Sequence, residues 1–343
     1  MQEHARRDGL APAVVLMQLI TGKWVSQAIS VAAELGVADQ LKDGARSSDE
    51  LAAAVGANED ALYRLLRALT NVGLFQEDAA RRFQLTELGQ YLRRDVHGNL
   101  NGYARFLGEE HMWNAWGQLR HSVRTGEPAF DHVYGEPIFD YVAKAPDVAA
   151  VFQDAMTSIS GAAGRAIAAA YDFGSVRKLV DVGGGHGFLL ATILAANPRL
   201  KGVVFDVPHV VEGARQLLRA ENLGDRIEVV SGDFFDAVPQ GGDAYIMKHI
   251  IHDWDDARSI AILRNCHRAM VPGGKLLVVD QVVPAPNEVD FAKLMDLEML
   301  ALTPGGRERT ADEFRKIFAA AGFTLTRIVP TEAYLSVVEG QAV

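Results

Sequence analysis

The chain has 343 residues, of which 49% are apolar, 8% aromatic and 23% charged, so it can bury more than one core and is not a disordered polymer. Its 34 basic and 44 acidic residues leave a formal charge of −10, the wrong sign for a general nucleic-acid binder. The single cysteine, Cys266, excludes an internal disulfide framework and a cysteine-rich zinc module, and makes the cytoplasm the expected location.

No segment reads as a membrane span. The stretch from Gly9 to Gly22 is free of charge and imitates the apolar part of a secretion signal. It lacks a clean basic start and a small-residue cleavage site, and Lys23, Trp24 and Val25 continue a helical pattern. Leu16, Leu19, Ile20, Trp24, Ala28 and Val31 recur at helical steps, which predicts one buried helix face. Ser47-Ser48-Asp49-Glu50 starts a short helix that Gly56 ends, and Asn58-Glu59-Asp60 caps a second that stops at Asn71-Val72-Gly73. Leu74-Phe75-Gln76, a polar turn and Phe83-Gln84-Leu85 complete a helix, turn, helix and wing. Between Arg46 and Arg94 seven bases balance seven acids, and the would-be recognition helix begins with Glu59 and Asp60, where phosphate would approach. A dimerisation or scaffold role therefore fits this unit better than a ligand-sensing, DNA-reading one.

Residues 1–100 are thus expected to form a winged-helix-like dimerisation domain, residues 101–170 a helical linker and substrate-pocket region, and residues 171–343 a cofactor-binding catalytic domain. The middle region is rich in large side chains, among them Phe106, Trp113, Phe152 and Met156. Most should be core, and a minority should line an apolar cleft. The last region alternates strands and helices, the pattern of a doubly wound, mostly parallel α/β sheet. Apolar runs end at Asp181, Asp206, Asp233, Lys248 and Asp280, where the ligands of such sheets sit.

Val180-Asp181-Val182-Gly183-Gly184-Gly185-His186-Gly187 runs a strand into four glycines and then a helix. Such glycines permit positive φ and let a ligand lie against the backbone. A dinucleotide fingerprint would need a further glycine where Phe188 or Leu190 stands, so that pattern fails. Asp206 still suits a ribose diol, and Asp233 an adenine amino group. A phosphate-free nucleoside with an amino-acid tail meets these conditions, and S-adenosylmethionine is that molecule.

The motifs LVDVGGGHG, VVFDVPHVV, SGDFF, IMKHIIHDWDD, PGGKLLVVDQVVP and TPGGRERT resemble those of the plant caffeate- and chalcone-type O-methyltransferases and their bacterial relatives that act on aromatic metabolites. The resemblance implies a Rossmann-like class I methyltransferase fold behind a helical dimerisation domain, a homodimer, and methyl transfer to a hydroxyl of a small aromatic natural product. It places Asp181, Gly183, Gly185, Asp206, Asp233, Phe234 and Lys248 at the cofactor, with Trp254 near its adenine end.

A phenol needs a base, and histidine titrates in the right range. His249 and His252 are three residues apart and would share one side of a helical turn, so spacing alone does not choose between them. The resemblance makes His252 the base and His249 a substrate contact. It supplies Asp280 and Glu308 as carboxylates that orient the base. Asp280 stands where relatives usually carry glutamate, which puts a direct contact with His252 in question. Phe106, Trp113, Phe152, Met156, His249, Met299 and Thr303 are the expected pocket residues. No metal is expected in the reaction, because Asp253, Asp255 and Asp256 crowd one helix start.

Overall fold

The computed structural model describes residues 10–343, apart from Glu221, Asn222 and Gly224, so Gly9, the first residue of the charge-free stretch, lies outside the described residues. The chain divides into two compact units, the first ending at Glu110 and the second spanning His111–Val343. The expected middle region is shared between them: helix Asn101–Gly108 belongs to the first, and the helices from His111 onward to the second.

In the first unit, helices Ser48–Val55 and Glu59–Thr70 lie in the chain between β1 (Arg46–Ser47) and the strands β2 (Phe75–Glu77) and β3 (Arg82–Leu85), and the three strands form a sheet in the order β1-β3-β2. The Glu50 side chain accepts the Ser47 amide at 2.9 Å and Asn58 accepts that of Ala61 at 3.0 Å, satisfying amides the helix starts leave free. Leu51, Leu62, Leu66, Leu69, Phe75 and Phe83 fill one core.

The amino-terminal helix departs from expectation twice. It breaks into Pro12–Ile20 and Gly22–Glu34 with a bend of 42°, instead of running through. Its apolar stripe is also not buried: Leu16, Ile20 and Trp24 are 57%, 68% and 66% exposed. Periodicity reports that a face is apolar and says nothing of what covers it, and a stripe of this size marks a contact surface. Among the described residues no single helix is long and apolar enough to cross a membrane, and only this bent pair, taken together, passes by length and composition.

The second unit is built on seven strands: β4 (Lys178–Val182), β5 (Lys201–Asp206), β6 (Ile227–Ser231), β7 (Ala244–Lys248), β8 (Lys275–Asp280), β11 (Phe323–Pro330) and β12 (Ser336–Ala342). Their order is β11-β12-β8-β7-β4-β5-β6, with β4 to β8 parallel and β12 antiparallel to both neighbours. Two short strands, β9 (Val282–Val283) and β10 (Arg309–Thr310), pair separately. Strands β4 and β7 are buried along nearly their whole length, and β7 reads apolar from Ala244 to Met247, because helices cover both sheet faces. The chain proceeds outward from β4 through β5 to β6 and then returns to the other side of β4. That reversal opens a crevice beyond the carboxyl ends of β4 and β7.

Candidate active site

Into that crevice the sheet delivers the glycine loop and a cluster of titratable side chains. The Gly183 and Gly184 amides donate to the Phe205 carbonyl at 2.8 and 3.2 Å, and the Gly185 amide donates to Asp206 Oδ2 at 2.8 Å, so the loop is laid across the end of β5. Gly183 has φ +68°, and a Cβ there would stand 2.4 Å from Ile250 Cδ1, so only glycine fits. Gly185 has φ +58° with open space where a side chain would be, which leaves its backbone accessible. Asp206 also accepts from its neighbour Val207, and burial pushes its carboxyl up. Asp233 is exposed and its Oδ1 accepts the Phe235 amide at 2.8 Å.

Asp181 is 1% exposed, and its Oδ2 has no hydrogen-bond partner. Burial pushes it up to about 7 against the pull of Lys248. Burial in turn brings the Lys248 ammonium, at the end of β7, down to about 8, opposed by Asp181, Asp280 and Asp253. A buried carboxyl with a free oxygen and a desolvated ammonium form a receptor for a zwitterionic amino acid, the tail that S-adenosylmethionine carries.

Beyond Lys248 the two histidines separate in a way spacing did not disclose. His249 adopts a left-handed backbone with φ +56°, and His252 sits in a short 3₁₀ turn, Ile251–Asp253. Their rings meet edge to face, 4.9 Å between centroids. His252 is buried, and its Nδ1 lies 2.7 Å from Glu308 Oε1. Glu308 is 2% exposed, far from the surface acid its arginine neighbours would suggest, and its Oε2 has no partner. Burial, followed by the nearby Asp296, pushes Glu308 up to about 8. Asp280 is fully buried at the end of β8; its Oδ1 accepts the His249 amide at 3.1 Å and its Oδ2 has no partner. Thus Glu308 makes the direct contact with His252. Asp280 bonds the backbone of His249 instead, while one donor atom each of His249, His252 and Asp280 lies within 4.8 Å of the other two. Asp253 Oδ1 is 3.6 Å from His252 Nε2, a neighbour sequence reasoning did not assign.

The turn carrying His252 is riveted by Arg309, which is 1% exposed. Its guanidinium donates to the carbonyls of Ile251 and Trp254, both at 2.9 Å, to Ser259 Oγ at 3.2 Å and, through Nε and Nη2, to Asp256 at 3.0 and 2.8 Å. Gly306 lets the Thr303–Arg309 segment pass close by, since a Cβ there would fall 2.7 Å from the His252 carbonyl.

Trp254 packs edge-on against Phe235 and Phe234, with centroids at 4.9 and 6.3 Å, and tilts over Phe139, which in turn meets Phe152. This links two expected cofactor residues to one expected pocket residue through Phe139, whose part was not foreseen. Met156 is four residues from Phe152 on helix Pro146–Ala170, hence on the same face. Trp113 is half-buried with its indole N–H unpartnered. Met299 is buried, and Thr303 spends its hydroxyl on the Met299 carbonyl. Phe106 is buried in the first unit.

Residues 116–324 match the O-methyltransferase domain and residues 17–95 the O-methyltransferase dimerisation domain. The chain belongs to the O-methyltransferase family. This O-methyltransferase is 43% identical to a phenazine O-methyltransferase, PhzM, of Lysobacter antibioticus over the whole of both chains. It is 35% identical to a phenazine-1-carboxylate N-methyltransferase of Pseudomonas aeruginosa, over 94% of this chain and 95% of that one. The solved structure of NcsB1, an O-methyltransferase from neocarzinostatin biosynthesis in complex with S-adenosylmethionine and 2-hydroxy-5-methyl naphthoic acid, superposes with a TM-score of 0.76 at 36% identity, covering 93% of this chain and 96% of that one. S-adenosylmethionine is therefore the cofactor of this O-methyltransferase, in accord with the glycine loop and its acidic flank.

Proposed function

We propose that the enzyme methylates a hydroxyl of a small aromatic natural product of the phenol, polyketide or phenazine kind, with His252 as general base. The observation that carries this reading is the 2.7 Å contact between His252 Nδ1 and the buried Glu308. It fixes the ring so that Nε2 faces away from Glu308 and accepts the hydroxyl proton, while Nδ1–H donates to Glu308 as the imidazolium forms. Asp181 and Lys248 would hold the cofactor tail, Gly183 and Gly185 its backbone contacts, Asp206 its ribose, and Asp233, Phe234 and Trp254 its adenine end. When bound, the sulfonium supplies an activated methyl group, so the protein adds alignment and a proton acceptor. Trp113, Phe152, Met156, His249, Met299 and Thr303 would shape the acceptor pocket, with Asp280 adding charge beside the base. The exposed stripe at Leu16, Ile20 and Trp24 supports a homodimer through the first unit, and the composition supports a cytoplasmic enzyme with neither nucleic-acid nor membrane partner.

The N-methylating relative gives a second reading, transfer to a ring or amino nitrogen. A nitrogen lone pair attacks without a base. Mass spectrometry of reactions with a panel of phenols and aromatic amines, run with wild type and His252→Ala, separates the two. The O-methyl reading expects a methyl ether and a loss of about 10²–10⁴ in kcat for His252→Ala. An N-methyl product formed at an undiminished rate by the variant would overturn it.

A further inference from the structure

Around the two histidines the site holds a donor set that methyl transfer does not itself require. One atom each from His249, His252 and Asp280 lies within 4.8 Å of the other two. Asp280 is fully buried and its Oδ2 has no hydrogen-bond partner, an arrangement that leaves a carboxylate oxygen open to a ligand. Glu308 already occupies Nδ1 of His252, the carboxylate–histidine pairing that fixes the tautomer of a metal-ligating imidazole and leaves Nε2 as the ligand. The His249 amide anchors the other oxygen of Asp280 at 3.1 Å, so that carboxylate is oriented too. Asp253 Oδ1, 3.6 Å from His252 Nε2, adds a further carboxyl beside these three donors.

We propose that His249, His252 and Asp280 form a site for a zinc-class divalent cation, and that a cation bound there occupies the base and silences the enzyme. Two imidazoles and a carboxylate are a three-ligand set that zinc accepts with a fourth position left to water or the acceptor oxygen. Bonds of about 2.0–2.2 Å hold tetrahedral ligands about 3.3 Å apart, so the three donors close by about 1.5 Å at most, within the reach of side-chain rotation. Magnesium is disfavoured, since it prefers an oxygen shell and keeps its waters. The cation does no chemistry in methyl transfer; it competes for Nε2. The inhibition rests on the reading of His252 as base, whereas the binding does not.

The test uses the full-length enzyme, freed of metal by chelation and titrated with Zn²⁺ by calorimetry and with Co²⁺ by visible absorption, which reports tetrahedral ligation directly. One cation per chain is expected. Glu308→Gln should weaken it by about 10–100-fold, and His249→Phe by more. The stacked pair His121 and His132, with ring centroids 3.9 Å apart, is the rival zinc locus, and the His121→Ala/His132→Ala double variant should bind as wild type does. Calorimetric binding of S-adenosylmethionine to His249→Phe establishes that this variant is folded. Zn²⁺ should slow wild-type turnover competitively with the acceptor, and slow His249→Phe less relative to that variant's own metal-free rate. Absence of saturable binding, unchanged affinity in His249→Phe, or loss of binding only in the double variant would overturn the site. Binding that is lost in His249→Phe but leaves wild-type turnover untouched would overturn the inhibition, and with it the base reading on which it rests.

Discussion

Replacing Arg309 by methionine keeps most of the apolar volume and removes the guanidinium that braces the His252 turn. The ion pair with Asp256 contributes little, because Asp256 is 57% exposed and the pair is screened, so about 0–1 kcal/mol is assigned to it. The larger cost lies in the carbonyls of Ile251 and Trp254, which lose a charged donor at 2.9 Å and keep the longer bond from Ser259 Oγ at 3.3 Å, at about 1–3 kcal/mol each. Together these give a destabilisation of about 2–7 kcal/mol, a span that includes the values found when a buried charged partner is deleted. For a unit of this size that is a fall in Tm of about 4–28 °C, read by calorimetry or circular dichroism on the cofactor-free enzyme. The freed turn also carries the base, and a displacement of about 1 Å costs about 10²-fold in rate, so kcat should drop even well below Tm. A Tm within about 2 °C of wild type, or an unchanged kcat, would refute the brace.

Glu308→Gln keeps the shape but cannot ionise; above about pH 8, where Glu308 carries its charge, kcat should fall at least about tenfold with the KM for S-adenosylmethionine unchanged, and the pH–rate profile should shift, which a purely structural role would not produce. Gly183→Ala forces a side chain onto φ +68° and into Ile250, so it should destabilise the enzyme by about 1–3 kcal/mol and weaken cofactor binding, as measured by thermal shift and calorimetry. Burial raises Asp181, Asp253 and Asp280 to about 7 and Glu308 to about 8, so the folded enzyme keeps protons that the unfolded chain has already released. Stability of the cofactor-free enzyme should therefore fall as pH rises from about 5 to about 8. Lys248, lowered to about 8, acts in the opposite sense above that, and a Tm that climbs steadily between about pH 5 and 8 would contradict the assignment.

The sequence was most legible where one physical constraint dominates. An apolar run followed by glycines marks a strand and a turn into a helix, and Gly183 to Gly187 lie between β4 and helix Phe188–Ala196 as that reading requires. The edge strand β11 and its neighbour β12 were not foreseen, because Thr324, Thr326, Arg327 and the buried Glu339 interrupt the apolar alternation. Glu339 is tolerated inside because Tyr171, Thr326 and Arg327 all donate to it, a satisfaction visible only in three dimensions. Arg309 escaped notice for a similar reason, since an arginine beside Glu308 reads as surface until its carbonyl partners are known. The arrangement of His249 and His252 was hidden by the left-handed backbone at His249, which no spacing rule anticipates for a residue other than glycine. The amino-terminal stripe was recognised as apolar, but a single chain's pattern does not distinguish an inner face from one awaiting a second chain.

The placement of β12 between β8 and β11 has a consequence for biosynthesis. A ribosome delivers β11 first, yet β11 reaches the rest of the sheet only through β12. Until the later strand threads the gap, the earlier one waits with both of its backbone edges unpaired, and β8 waits with one. This is the interval in which nascent chains stick to each other through open strand edges, so chaperone demand should peak there and ease once Glu339 is locked among its donors.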